Sequence, residues 1–177
     1  IGASMPTDLG LVEHPTEGLL LSADLENDSD TLAIIGASTA LVISDIPFDR
    51  PVGAVRVGYW DGAFVINPAT ADLKAKSQLN LLVAGTEDAI VMVEASAHEV
   101  TEDVLAGALV EGHNVIKQIV AMQRDLRARV GKPKRPFAKK EVDPAIVAEI
   151  EGALAEPLLA AARIKGKIES YAQMKKV

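Results

Sequence analysis

The sequence predicts an α+β protein, and three kinds of stretch in the 177-residue chain carry that prediction. Thr31 to Ser44 is apolar on nearly every side, which predicts a helix buried inside a larger body. Two pairs of short apolar runs, each joined by a turn sequence, predict antiparallel hairpins. From Thr101 to Val130 apolar residues recur at helical spacing, which predicts a long helix that covers one face of the sheet.

Composition and charge exclude several classes of protein. Apolar residues make up 49% of the chain and charged residues 24%, which is ordinary for a globular protein, and the net charge of −7 argues against a chain-wide nucleic-acid surface. The absence of cysteine excludes disulfides and thiolate sites. No apolar run approaches the roughly 20 residues of a membrane span, so we expect a cytoplasmic protein with no membrane partner.

The residues before the first predicted helix favour a helix start. Asn27, Asp28, Ser29 and Asp30 are all residue types that are favoured at N-caps, and the two aspartates put negative charge at the positive end of the helix dipole. A helix N-terminus is otherwise a favourable site for phosphate. We therefore expect this end of the helix to repel phosphate.

The flanking segments are more irregular. Residues 1–18 are interpreted as an arm or cloning remnant, with His14 as a solvated loop residue. Leu19 to Asp24 is short and apolar, which predicts a buried strand that leads into the helix. Asp45 to Gly53 is predicted to be a turn-rich crossing.

The hairpins have clear turn signals. Asp61-Gly62 is the strongest two-residue turn signal, and Gly85 begins the loop of the second pair. Thr70 to Gln78 is predicted to hold at most one helical turn. The four predicted strands are Ala54–Trp60, Ala63–Ile66, Leu79–Ala84 and Ala89–Glu94.

Composition shifts sharply at Gly131, where five basic residues and two prolines follow within ten positions. Residues 132–142 are interpreted as a basic linker, either a solvated tether or a contact for a phosphate backbone. Asp143-Pro144 predicts the start of a further helix, which Pro157 is expected to interrupt before the chain continues helically to Val177.

The residues alone show no complete catalytic constellation. There is no serine with a nearby histidine and aspartate, no glycine-rich phosphate loop and no histidine cluster with metal spacing. His113 lies beside the apolar stripe of the long helix, where a packed or edge histidine is expected.

The order of four motifs resembles the bacterial polynucleotide phosphorylase (polyribonucleotide nucleotidyltransferase) family. They are LAIIGAS from Leu32, VGAVRVGY from Val52, VAGTEDAIVMVE from Val83, and Gly112-His113. Residues 19–131 resemble the second half of the first RNase PH-like core domain of that family. Residues 143–177 resemble the beginning of the all-helical domain that follows it.

The resemblance implies an activity for the complete protein. That activity is phosphorolysis of RNA from its 3′ end, with phosphate as co-substrate, nucleoside diphosphates as products and magnesium as cofactor. The resemblance also implies a homotrimer with a central RNA channel, and degradosome proteins as further partners.

The resemblance further implies that this chain alone is inactive. The serines that bind phosphate in the family's catalytic core correspond here to residues 27–31, which include two aspartates. The two aspartates that hold magnesium there correspond to Asp72 and Gln78. We therefore expect no catalytic residue and no bound metal in this segment.

Within this interpretation the chain contributes trimer contacts and part of the RNA channel. Alternatives are a standalone RNA-binding module, or an assembly module that presents an open sheet edge and an uncovered helix. The candidate RNA contacts are Arg50, Arg56, Lys132, Lys134 and Arg135. For Arg56, the alternative to an RNA contact is a solvated or ion-paired side chain on the polar face of the hairpin.

Overall fold

The computed structural model describes residues 18–136 and 143–177. The chain divides into two compact units, residues 1–137 and 138–177. The described part of the first unit is α+β, as predicted, and the described part of the second is helical. His14 and residues 137–142 lie outside the described residues.

The first unit contains a four-stranded antiparallel sheet with the strand order β2-β1-β3-β4. Its strands are β1 (Gly53–Trp60), β2 (Ala63–Ile66), β3 (Leu79–Gly85) and β4 (Ile90–Ala97). Asp61 and Gly62 have φ angles of 51° and 76°, the left-handed conformation that a tight hairpin turn requires. Because β1 pairs with β2 and β3 pairs with β4, both in antiparallel orientation, both predicted hairpins are confirmed.

Three helices accompany the sheet: α1 (Asp30–Ile43), α2 (Thr70–Lys76) and α3 (Glu102–Val130). The core lies between α3 and strands β1 and β3. Gly112 allows a close approach, since a Cβ there would lie 3.2 Å from a methyl carbon of Val57. The fully or almost fully buried side chains of this core are those of Val55, Val57, Leu79, Leu81, Val83, Ala108, Ile116 and Val120.

A closed hydrogen-bond network joins α1, α3 and the residue before β1. The Ser38 hydroxyl donates to Oε1 of Gln123 at 2.7 Å, and Nε2 of Gln123 donates to the Val52 carbonyl at 2.9 Å. The Val52 amide donates back to Ser38 Oγ at 2.8 Å. Because Ser38 and Gln123 are buried, the network satisfies polar groups that water does not reach.

Several predictions for the first unit are wrong. Leu19 to Asp24 forms no strand, and Leu21 is 93% exposed, because a short apolar run becomes a strand only where a sheet pairs with it. Helix α1 is not buried all round, since Leu32 is 65% exposed. Helix α2 has seven residues rather than a single turn.

Residues 131–136 do not form a solvated tether. The Lys132 amide donates to the Ile43 carbonyl at 2.9 Å, and the Arg135 amide donates to the Asp45 carbonyl at 2.8 Å. We call residues 131–136 the strap, because they run beside the end of α1 and hydrogen-bond to it.

The second unit contains α4 (Pro144–Ala162) and α5 (Lys167–Met174). The predicted interruption at Pro157 is wrong, because α4 continues through this residue. Proline removes only one amide donor from the helix, and the alanine-rich turns around it have a high helix propensity that maintains α4. The chain reverses instead at Gly166, whose φ is 121°. The Ser170 hydroxyl donates to the Ala161 carbonyl at 3.0 Å and joins the two helices.

Candidate functional site

The candidate site is the start of α1, where the sequence places two carboxylates. The loop before it is shaped by Asp24, whose Oδ1 accepts from the amides of Glu26 and Asn27, at 2.9 Å each. These hydrogen bonds keep the pKa of the Asp24 carboxyl below its usual value, and the bond from the Asn27 amide has the largest effect. The loop allows the side chains of Asp28 and Asp30 to reach strand β1.

Arg56 of β1 lies between these two aspartates. Its Nε lies 3.2 Å from Oδ2 of Asp28, and its Nη2 forms an ion pair with Asp30. Its Nη1 donates to Oδ1 of Asn80 on the neighbouring strand. The Arg56 side chain is only 14% exposed. Its guanidinium is therefore engaged within the fold, which does not favour its predicted contact with RNA.

The backbone around Arg56 is equally constrained. Its amide donates to Oδ1 of Asn67 at 2.9 Å, and the Asn67 amide donates to the Arg56 carbonyl at 2.7 Å. Across the site, the Thr70 amide at the start of α2 donates to the Glu26 carbonyl at 2.8 Å. The strand, the loop before α1 and the start of α2 thus form one connected polar structure.

The arrangement is unsuited to an inorganic anion. A small cavity of about 190 Å³ lies beside Arg56, and Asp28 and Asn27 also line it. Two carboxylates against one guanidinium leave this end of α1 negatively charged. An anion at the helix N-terminus would have to displace Asp28 or Asp30 from Arg56.

The two positions that correspond to the magnesium ligands of the family provide a single carboxylate here. Asp72 forms an ion pair with Lys76 of the same helix at 2.8 Å, and the partner position is the neutral side chain of Gln78. Among the residues that the structure describes, no group of three or more histidine, aspartate or glutamate side chains converges as metal ligands do.

Among the remaining basic candidates, Lys132, Lys134 and Arg135 lie beside the other end of α1. Arg50 and Lys132 are exposed, and Arg135 forms an ion pair with Asp45 at 3.1 Å. The Lys134 ammonium donates to three backbone carbonyls instead. Because α1 has 14 residues, its two ends lie about 20 Å apart, and this length separates the residues beside its C-terminal end from the end that Arg56 contacts.

Sequence reasoning missed the buried amide of Gln123. The signal was a polar residue at a core position of the α3 stripe, one turn after Ile119 and Val120. His113, by contrast, is an edge histidine as expected, since its Nε2 lies 3.0 Å from the Thr86 carbonyl oxygen.

Comparison with known proteins agrees with this architecture. Residues 50–115 match the family described as 3′ exoribonuclease family, domain 2. This range contains the four strands, α2 and the first half of α3. Polyribonucleotide nucleotidyltransferase of Chloroflexus aggregans is 49% identical over 152 residues, which is 86% of this chain and 20% of that protein. The predicted resemblance to the polynucleotide phosphorylase family is confirmed.

Two further polynucleotide phosphorylase relatives give the same result. The protein named polyribonucleotide nucleotidyltransferase in Halothermothrix orenii is 44% identical over 158 residues, which is 89% of this chain and 22% of that protein. The one from Thermomicrobium roseum is 55% identical over 118 residues, which is 67% of this chain and 15% of that protein. The chain thus spans about a fifth of the length of these relatives.

Within residues 18–136 and 143–177, no helix combines the length and the apolar composition needed to cross a membrane.

Proposed function

We propose that this chain is a non-catalytic part of the first core of a phosphate-dependent 3′-to-5′ exoribonuclease that releases nucleoside diphosphates. The similarity to polyribonucleotide nucleotidyltransferases supports the reaction class of the parent protein. The observation that carries the non-catalytic part is the engagement of Asp28 and Asp30 with Arg56 where phosphate would have to bind. In this proposal magnesium acts elsewhere in the parent enzyme.

The test is a phosphorolysis assay of the chain with RNA, phosphate and magnesium. We expect no nucleoside diphosphate above the level of a buffer control. Release of diphosphates by the chain would overturn the proposal. A full-length relative in the same assay shows that the conditions support the reaction.

The proposal includes contacts with RNA at the C-terminal end of α1. Lys132 is exposed, and Arg135 keeps 57% of its side chain exposed although it pairs with Asp45, so both are accessible to a phosphate backbone. Arg50 is exposed as well. Arg56 and Lys134 are left out, because their charged groups are bonded within the fold.

The second candidate function is assembly, and two exposed apolar surfaces favour it. Leu32 on α1 is 65% exposed, and Val91 on the edge strand β4 is 62% exposed. An apolar edge strand without lysine or proline is a ready template for another strand. In the proposed homotrimer these surfaces would be covered by other parts of the assembly, and sedimentation velocity of the chain at increasing concentration would show whether it associates by itself.

The proposed setting is the cytoplasm, with RNA and phosphate as the ligands of the parent enzyme and degradosome proteins as further partners. These proposals rest on the similarity to the polynucleotide phosphorylase family.

A further inference from the structure

The carbonyl end of α1 is neutralised by a lysine that lies far away in the sequence. Helix α1 has no basic residue in its own last turn. The Nζ atom of Lys134 instead donates to the carbonyl oxygens of Leu41, Val42 and Ser44, at 2.9 Å each. An ammonium has three donors, so this geometry uses all of them on the negative end of the helix dipole.

The strap makes further polar contacts. The amides of Lys132 and Arg135 bind the carbonyls of Ile43 and Asp45, and the Arg135 side chain pairs with the Asp45 carboxylate. No side chain between residues 131 and 136 is fully buried. The attachment of the strap therefore depends on hydrogen bonds and charge rather than on apolar burial.

Lys134 is the part of the strap with the largest consequence for attachment. The Arg135–Asp45 pair is about half exposed on both sides, and such pairs contribute little in water. The Lys134 bonds are charge-assisted and partly shielded, and burial lowers the pKa of its ammonium. Loss of the ammonium would leave three carbonyls at the helix end without this donor.

We infer that the strap has a docked and a released state, and that Lys134 selects the docked state by capping α1. The free energy needed to open a segment that is held by a few polar contacts is smaller than the free energy of unfolding of the whole protein. In the released state residues 131–136 would lose their hydrogen bonds to Ile43 and Asp45 as well as the cap. This inference does not depend on the proposed RNA contacts.

The test is amide hydrogen exchange of the whole chain, measured residue by residue by NMR. Lys134→Met removes the cap, and Lys132→Met is the matched control, because it removes the same charge from an exposed position two residues away. In Lys134→Met we expect the amides of Lys132 and Arg135 to exchange about 10- to 100-fold faster, which corresponds to the loss of one charge-assisted hydrogen bond or more. The amide of Leu81 in β3 should be unaffected, and the control should match the wild type.

Three results would overturn the inference. One is unchanged exchange at Lys132 and Arg135 in Lys134→Met, and another is equal acceleration in both variants. The third is equal acceleration of Leu81, which would make Lys134 a support of the whole fold. Should Lys134→Met fail to fold, Lys134→Gln replaces it in the same measurement, because its amide nitrogen cannot supply the three donors of the ammonium, and the inference again requires acceleration confined to the strap.

Discussion

The Nε atom of Arg56 lies 3.2 Å from Oδ2 of Asp28, and this pair joins the central strand β1 to the loop before α1. Asp30 pairs with the same guanidinium, and Asn80 accepts from it as well. The arginine therefore supplies the positive charge that the two acidic residues at the helix start require. The two aspartates belong to a structural ion-pair network rather than to a vacant anion site.

Replacement of Arg56 by methionine is expected to destabilise the fold by about 2 kcal/mol. Breaking a buried ion pair costs about 3–5 kcal/mol, and the partial exposure of both aspartates reduces that figure. Urea unfolding followed by Trp60 fluorescence measures the change. Lys117→Met on the exposed face of α3 is the control, and an equal effect of the two substitutions would contradict a structural role for Arg56.

The buried network offers a second stability prediction. Gln123→Leu leaves the Ser38 hydroxyl without its acceptor and the Val52 carbonyl without its side-chain donor, so we expect a loss of about 2–3 kcal/mol in the free energy of unfolding. Gln118→Leu on the same helix is the matched control, because Gln118 is exposed. If Gln123→Leu lowered the free energy of unfolding no more than the control does, the network would not be what holds α1 to α3.

The lowered pKa of the Asp24 carboxyl predicts that the stability of the fold depends on pH in the acid range. Its pKa is lowered from 3.8 because the amides of Asn27 and Glu26 donate to its charged form. A group with a lowered pKa in the folded state contributes stability above its unfolded value, and that contribution is lost as the pH falls through the folded pKa. Titration of the side-chain carboxyl by ¹³C NMR should give a midpoint below 3.8, and Asp24→Asn should remove this part of the acid dependence.

The elements with local signals could be predicted from the sequence. Asp61-Gly62 favours a left-handed turn whatever surrounds it, and Thr101 provides an N-cap side chain that accepts from the Val104 amide at the start of α3. The strand expected at Leu19–Asp24 failed because its formation depends on a pairing partner rather than on its own residues.

The candidate site also combines features that have a local sequence signal with features that only the fold determines. The acidic helix start was visible in the sequence, and Arg56 was noted as a residue that could be ion-paired, but no spacing rule joins Asp30 to Arg56 across 26 residues. The cap on α1 was harder still, because Lys134 lies 90 residues after Ser44. A basic, proline-containing segment has the composition of a solvated linker, and only the fold shows that its lysine ends at a helix terminus.

Gain of anion binding gives the sharpest test of the site. The double substitution Asp28→Asn and Asp30→Asn removes both carboxylates, keeps side chains that can cap a helix, and leaves Arg56 beside the N-terminus of α1. We expect phosphate to raise the melting temperature of this variant, relative to chloride at the same ionic strength, and to leave that of the wild type unchanged. Lys74→Met, an exposed substitution on α2 outside the site, should behave as the wild type. Stabilisation of the wild type by phosphate, or density for sulfate beside Asp28 and Asp30 in a soaked crystal, would show that the carboxylates do not exclude an anion, and the non-catalytic proposal would lose the observation that carries it.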